Sequence, residues 1–215
     1  MKVEVCILAG GLSARMGRDK ARLRLGGRSM LSIIRETVEE SGFPLRVLRR
    51  DAVPRCGPLG GVLTGLKTAR SDAVLFLACD MPFITPALLG KIVRASHNGT
   101  AGVFASQRGR VGFPFLLPLS AITTVESQIA QRAFSIHELA AVLSAAVVRV
   151  PAGSHQLFNV NTSGDAAAAA RWFAGEGRKK DASLVTRRVR PYGSRHAEQA
   201  DSPVARRSSR RQRQR

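Results

Sequence analysis

The chain has 215 residues, 44% hydrophobic and 5% aromatic, enough for an aliphatic core in one domain with an appendage or in two small domains. No apolar run approaches the ~20 residues of a membrane-spanning helix, and Glu4 interrupts the first apolar stretch too early for a signal peptide. The formal charge of +19 is uneven: residues 178–215 hold 13 Lys/Arg against three Asp/Glu and few large apolar side chains. Such a segment cannot bury enough apolar surface to offset its ordering entropy, so it reads as a disordered basic tail behind a folded domain over 1–177. The domain is only mildly basic, as suits phosphate ligands, and nucleic acid is not expected as a partner except through the tail. Cys6, Cys56 and Cys79 lack metal-ligand spacing, and an odd count suits a reducing, cytoplasmic compartment.

In chain order, Val3–Leu8 is a short continuous apolar run, the mark of a buried parallel strand. Ser29 caps a helix to about Ser41, with Leu31, Ile34 and Val38 on one face and Gly42 as its stop. Leu45–Arg49 is a second strand, and Leu59–Ala69 is a helix entered from Arg55-Cys56-Gly57-Pro58. Ala73–Ala78 is a wholly apolar strand ending at Cys79-Asp80, and Thr85 caps a helix through about Ser96. Ala101–Ala105 and Gly112–Leu117 are strands joined by Gln107-Arg108-Gly109-Arg110. Helical sequence fills much of 119–144, and Ala146–Val150 is a late strand. Ser163, with Asp165 behind it, opens an Ala-rich helix to about Gly175. This alternation predicts an α/β fold, a Rossmann-like, mainly parallel sheet with helices on both faces. Ligands of such sheets bind beyond the C-terminal strand edges, where the glycine loop after Leu8 and Asp80 both fall.

The first strand runs straight into Gly10 and Gly11, then into a loop carrying Arg15, Arg18 and Lys20. Glycines let the main chain bend and bring its N–H groups close to an anion, and the cations can neutralise a triphosphate. The spacing is neither that of a P-loop nor that of a dinucleotide fold. Asp80, at the end of a buried strand, needs a partner. Magnesium, which prefers hard oxygens, is the natural one, and capping of the Thr85 helix is the alternative. Asn159 and Asn161 sit on alternate positions of an extended segment and share a face, able to grip a phosphate or a polar ring edge or simply to form a turn. No Ser/His/Asp or Cys/His arrangement is present, which fits chemistry needing only positioning and charge stabilisation.

Four segments carry a family resemblance: Leu8-Ala9-Gly10-Gly11-x-Ser13-x-Arg15-Met16-Gly17-x-Asp19-Lys20; Asp51 followed by Gly57-Pro58-Leu59-Gly60-Gly61; Ala78-Cys79-Asp80-Met81-Pro82-Phe83; and Leu157-Phe158-Asn159-Val160-Asn161-Thr162. Over roughly residues 3–176 the chain resembles the molybdenum cofactor guanylyltransferases. The resemblance implies a nucleotidyltransferase-type fold and transfer of GMP from GTP to the phosphate of molybdopterin, with release of pyrophosphate and dependence on magnesium. It implies that Leu8, Ala9, Gly10, Gly11 and Lys20 hold GTP, with Arg15 assisting, although Arg15 also reads as a solvated loop charge. It favours a nucleotide contact for Asp51, to guanine or ribose, over a surface ion pair, and adds Gly57, Pro58 and Leu59 to that site. It makes Asp80 the metal ligand and, with Arg15 and Lys20, a catalytic residue. Asn159 and Asn161 become molybdopterin contacts, and molybdoenzymes or cofactor-delivery proteins become downstream partners.

Two departures stand out. Only one strand lies between the first helix and Gly57, where the family generally places an additional strand and helix. The sheet edge is therefore expected to be trimmed, with part of the base or ribose site missing. The arginine-rich tail is the second departure. Other readings are a cytidylyltransferase or another nucleotidyltransferase on a phosphorylated acceptor, or a nucleic-acid-binding protein built on a degenerate domain and the basic tail. In the resemblance, Gly10-Gly11 leans to guanine, where cytidylyl relatives tend to carry Ala-Gly. Retention of Lys20 and Asp80 speaks against degeneracy.

Overall fold

The computed structural model describes residues 1–10, 24–53, 55–96 and 99–183, with side chains of the last helix as far as Gly175. Of the expected site residues, Gly11, Arg15 and Lys20 lie outside the described residues, as does the tail beyond Ser183. The chain begins with β1 (Val3–Leu8), a small hairpin β2 (Arg24–Leu25) and β3 (Arg28–Ser29), α1 (Met30–Ser41), β4 (Leu45–Leu48), α2 (Pro58–Lys67), β5 (Ala73–Ala78) and α3 (Pro86–Ala95). It continues with β6 (Val103–Gln107), β7 (Arg110–Pro118), α4 (Ile122–Ala130), α5 (Ile136–Val142), β8 (Ala146–Arg149) and α6 (Ser163–Ser183).

Six strands form one sheet in the order β4-β1-β5-β7-β6-β8. β4, β1 and β5 run parallel, β7 is antiparallel to both β5 and β6, and β8 is parallel to β6. The mainly parallel sheet with helices on both faces is as expected. β4 is the sheet edge among the described residues.

Alternation along each strand sorts the core, because successive side chains point to opposite faces. Val3, Val5 and Ile7 of β1 pack with Ala73, Leu75 and Leu77 of β5 against α1 and α3. On the other face Cys6, Val74 and Phe76 pack against α2, α4 and α5. Both faces are thus covered, which is why these strands read as continuous apolar runs. The caps also fall where expected. Ser29 Oγ accepts from the Ser32 N–H, Thr85 Oγ1 accepts from the Leu88 N–H, and Gly42 ends α1 in the left-handed region at φ 76°.

Glu4, which looks like an interruption in the sequence, is 6% exposed and fully employed. Its carboxylate accepts from Arg46 Nε at 2.7 Å and from the Arg70 N–H at 3.2 Å. Arg46 also donates to Thr68 Oγ1 and to the Gly65 carbonyl, so one partly buried ion pair ties β1, β4 and α2 together. Burial beside this pair pushes the Cys6 thiol up to about 11, which leaves it protonated and unreactive at neutral pH.

Three differences from the expected elements have physical causes. The strand expected over Ala101–Ala105 starts at Val103 and continues to Gln107, because its ladder with β7 persists to the Gln107–Arg110 pair after the apolar pattern stops. The β2–β3 hairpin was not expected. Its turn is Gly26-Gly27, both at positive φ, and Leu25 is buried in a third cluster with Met30, Ile33, Phe83, Val160 and Ala169. Helix α6 runs on to Ser183, past its expected end near Gly175. Its buried anchor is Ala169, while Trp172 and Phe173 pack on the third cluster and the Arg28 guanidinium lies 5.2 Å from the Phe173 ring centroid.

Candidate active site

Three parallel strands deliver three of the four motifs to one edge. Leu8 is in register with Leu48 on one side and Ala78 on the other. At the strand ends the Ala9 N–H donates to the Leu48 carbonyl at 2.8 Å, and the Cys79 N–H donates to the Leu8 carbonyl at 3.2 Å. Ala9's donor is therefore committed to the sheet. Gly10 is where the chain needs glycine, since a Cβ there would lie 2.6 Å from the Arg49 carbonyl oxygen. A side chain at this position would force Gly10 away from the β4 exit.

Asp51 follows β4 and lies over the start of α2. A Cβ on Gly61 would sit 3.1 Å from Asp51 Oδ1 and 3.3 Å from the Leu8 methyls, and one on Gly60 would sit 2.4 Å from the Val53 carbonyl oxygen. The tight approach that the 57–61 glycines permit is thus made by the protein's own 51–53 loop. Thr64 Oγ1 locks it there, donating to the Gly60 carbonyl and accepting from the Ala52 N–H. Gly57 caps α2 at φ 54°, ψ −144°, a conformation open to glycine, and Pro58 starts the helix. Leu59 is fully buried, so its side chain serves the core. Among the described residues Asp51 makes no ion pair, and burial raises its carboxyl above the usual aspartate value.

Asp80 follows β5 at the same edge. The cap of α3 is Thr85's own hydroxyl, so Asp80 is not needed there. The Asp80 carbonyl accepts the Val160 N–H at 2.8 Å, which brings the fourth motif alongside the third. Val160 is buried between exposed Asn159 and Asn161, as their alternation requires. The next residues form a capping box for α6: the Asn161 and Thr162 N–H groups donate to Asp165 Oδ2, and the Asp165 N–H donates to Thr162 Oγ1.

Beside Asp80 opens a cavity of about 910 Å³, within the range of small-molecule sites. Its wall includes Met81 and Asn159 near Asp80, Arg110 of the β6–β7 hairpin, and His155 and Trp172. Gln107 Nε2 donates to the carbonyls of Pro151 and Ser154, and Arg108 donates to that of Ala152, so the hairpin grips the 151–154 loop. Sequence reasoning placed Gln107–Arg110 in a turn and missed this wall. The only available signal was chemical: two arginines in a tight turn, and the chain's single tryptophan in an Ala-rich helix.

A divalent metal would find a hard oxygen donor in Asp80, whose Oδ1 is buried. Among the described residues no three His, Cys, Asp or Glu cluster as a metal cage. One carboxylate completed by substrate phosphates is how magnesium is commonly held, so the residues fit that ion.

The architecture defines the class first: it is that of the α/β nucleotidyltransferases. The molybdopterin-guanine dinucleotide biosynthesis protein A of Archaeoglobus fulgidus superposes with a TM-score of 0.65 over 80% of this chain and 99% of that one, at 20% identity. The model of the MobA-like NTP transferase domain matches residues 5–149, and the chain belongs to that family. The match spans the first three motifs, and the fourth lies beyond it. Over 155 residues the chain is 33% identical to a probable molybdenum cofactor guanylyltransferase of Opitutus terrae, covering 64% of this chain and 77% of that protein. Over 197 residues it is 31% identical to the molybdenum cofactor guanylyltransferase of Rhizobium meliloti, covering 78% and 90%. No helix among the described residues is long and apolar enough to cross a membrane.

Proposed function

We propose that this enzyme transfers GMP from GTP to the terminal phosphate of molybdopterin, giving the guanine dinucleotide and pyrophosphate. The observation that carries the reading is the likeness to the Rhizobium meliloti guanylyltransferase over 78% of this chain and 90% of that one, which favours guanylyl transfer over the cytidylyl and nucleic-acid alternatives. The convergence of Gly10, Asp51, Asp80 and the Asn159 segment on one sheet edge supports it.

In this reading an oxygen of the acceptor phosphate, ionised at neutral pH, attacks the α-phosphorus of GTP. The new P–O bond forms as the α–β bridge breaks, and pyrophosphate leaves with the bonding pair. Gly10, Gly11 and Lys20, with Arg15, hold the triphosphate and stabilise the charge that develops on the leaving group. Asp51 accepts from guanine or ribose at the α2 entrance, and the Gly57-Pro58-Leu59 turn shapes that pocket. Asn159 and Asn161 hold the acceptor. Asp80 would hold magnesium, which supplies charge neutralisation at the phosphates. We place the reaction in the cytoplasm, with molybdoenzymes or delivery proteins receiving the product.

The test is a nucleotide panel with molybdopterin and magnesium, scored for pyrophosphate and dinucleotide. GTP should give both in equal amounts and outpace CTP and ATP in kcat/KM. Equal kcat/KM for GTP and CTP would remove guanine preference, and no product with any nucleotide would remove the activity.

A further inference from the structure

The proposed roles of the four motifs leave unused the aromatic rings that gather on the cavity wall. His155 and Trp172 stack with ring centroids 3.8 Å apart and planes inclined by 16°. The indole is also braced edge-on by Phe158, centroids 4.9 Å apart, and by Phe83 at 6.0 Å. Both stacked rings line the cavity wall that begins at Met81 and Asn159, beside Asp80. Such a pair is fixed before any ligand arrives, so a flat ring laid on it binds with little ordering cost.

We infer that the His155–Trp172 pair is the platform for the acceptor's pterin ring and sets specificity for it. The inference rests on the proposed molybdopterin transfer and extends it from the phosphate to the ring. The acceptor phosphate has to lie near Asp80 for the reaction, and the cavity then directs the rest of the molecule away from the nucleotide half. A planar nitrogen heterocycle is the chemistry that a braced indole–imidazole stack recognises. The Arg110 guanidinium makes no ion pair among the described residues and lines the same cavity, available to the ring's carbonyl edge. Gln107 and Arg108 are already employed in holding the 151–154 loop, which fixes the wall that carries His155.

Trp172 is the chain's only tryptophan, so its emission reports on the platform alone. Without divalent metal, titration of the full chain with molybdopterin should quench that emission saturably, and GTP should leave it unchanged. In steady state Trp172→Ala should raise the KM for molybdopterin about tenfold, the scale for losing one ring-stacking partner, with the KM for GTP within about twofold of the parent. Trp172→Phe should recover most of the loss. His155→Leu, on a partly exposed loop, carries the same test should Trp172→Ala fail to fold. If the parent makes dinucleotide while molybdopterin leaves the emission unmoved and these variants keep the parent KM, the platform is wrong and the activity stands. If the parent makes no dinucleotide, the activity is wrong, and titration with 6-hydroxymethylpterin decides the platform: saturable quenching sustains it and no quenching overturns it.

Discussion

Beyond β4 and β1, Gly10 and Gly60 are packed tightly against main chain; beyond β7 and β6 the cavity wall is side chain. On the first side, a Cβ at Gly10 or Gly60 would come within 2.6 Å or 2.4 Å of a carbonyl oxygen. On the second side Gly153 has nothing within 4 Å of its would-be Cβ, and the surface is made by His155, Trp172 and Arg110. In the proposed reading the difference separates the two substrates. The nucleotide belongs to the side where glycines let the protein's own loops close on the strand ends. The acceptor belongs to the side where side chains make the cavity wall.

The largest effect belongs to the charged groups of the proposed machinery. Asp80→Asn should lower kcat by ~10²-fold or more, the scale for losing one electrostatic stabiliser, and Lys20→Ala should do the same. Folded variants with near-normal turnover would remove these residues from the machinery.

Next come the glycines, which set the two sides against each other. Gly60→Ala forces a methyl against the Val53 carbonyl and should cost about 1–3 kcal/mol of stability, with a raised KM for GTP. Gly153→Ala should change neither Tm nor KM measurably. Equal Tm shifts in the two variants would mean that the nucleotide half is no tighter than the acceptor half.

Asp51 gives a smaller effect with opposite signs in stability and function. Burial raises its carboxyl in the folded state, so the ionised form destabilises the fold at neutral pH. That destabilisation is absent below the unfolded value of 3.8 and grows as pH rises through the higher folded value. Asp51→Asn should therefore raise Tm slightly at pH 7, with no gain at pH 3, while weakening the preference for GTP over CTP. A Tm that falls at pH 7 would give Asp51 a structural role instead of a ligand role.

The smallest effect is expected from the tail. A chain ending at Ser183, where α6 is complete, should keep its fold and kcat. The lost charge should show only as a salt-sensitive change in kcat/KM, fading as the Debye length falls to ~10 Å at 0.1 M salt. Loss of kcat at high salt would show that the tail completes the site.

What the sequence disclosed follows the same division. Strands covered on both faces, such as Ala73–Ala78, announce themselves as apolar runs, and the Ser29, Thr85 and Gly42 caps mark helix ends by local chemistry. Gly10 and Gly60 marked close approach within a few positions, although the backbone they admit is the protein's own, and Asp80 marked the end of a buried strand. The cavity wall was not legible, because it joins Arg110, His155 and Trp172 from three separate segments, and none has a spacing that announces a ligand. Glu4 shows the same limit, since its partner Arg46 is 42 residues away.

Independence of the two halves is tested most directly by two-substrate kinetics on Asp51→Asn, Trp172→Ala and the double variant. The expected result is a GTP effect confined to Asp51→Asn, a molybdopterin effect confined to Trp172→Ala, and a double variant whose kcat/KM loss is the product of the single losses to within about twofold. A tenfold change in the KM for GTP from Trp172→Ala, or a double loss no larger than either single loss, would contradict the division of the site.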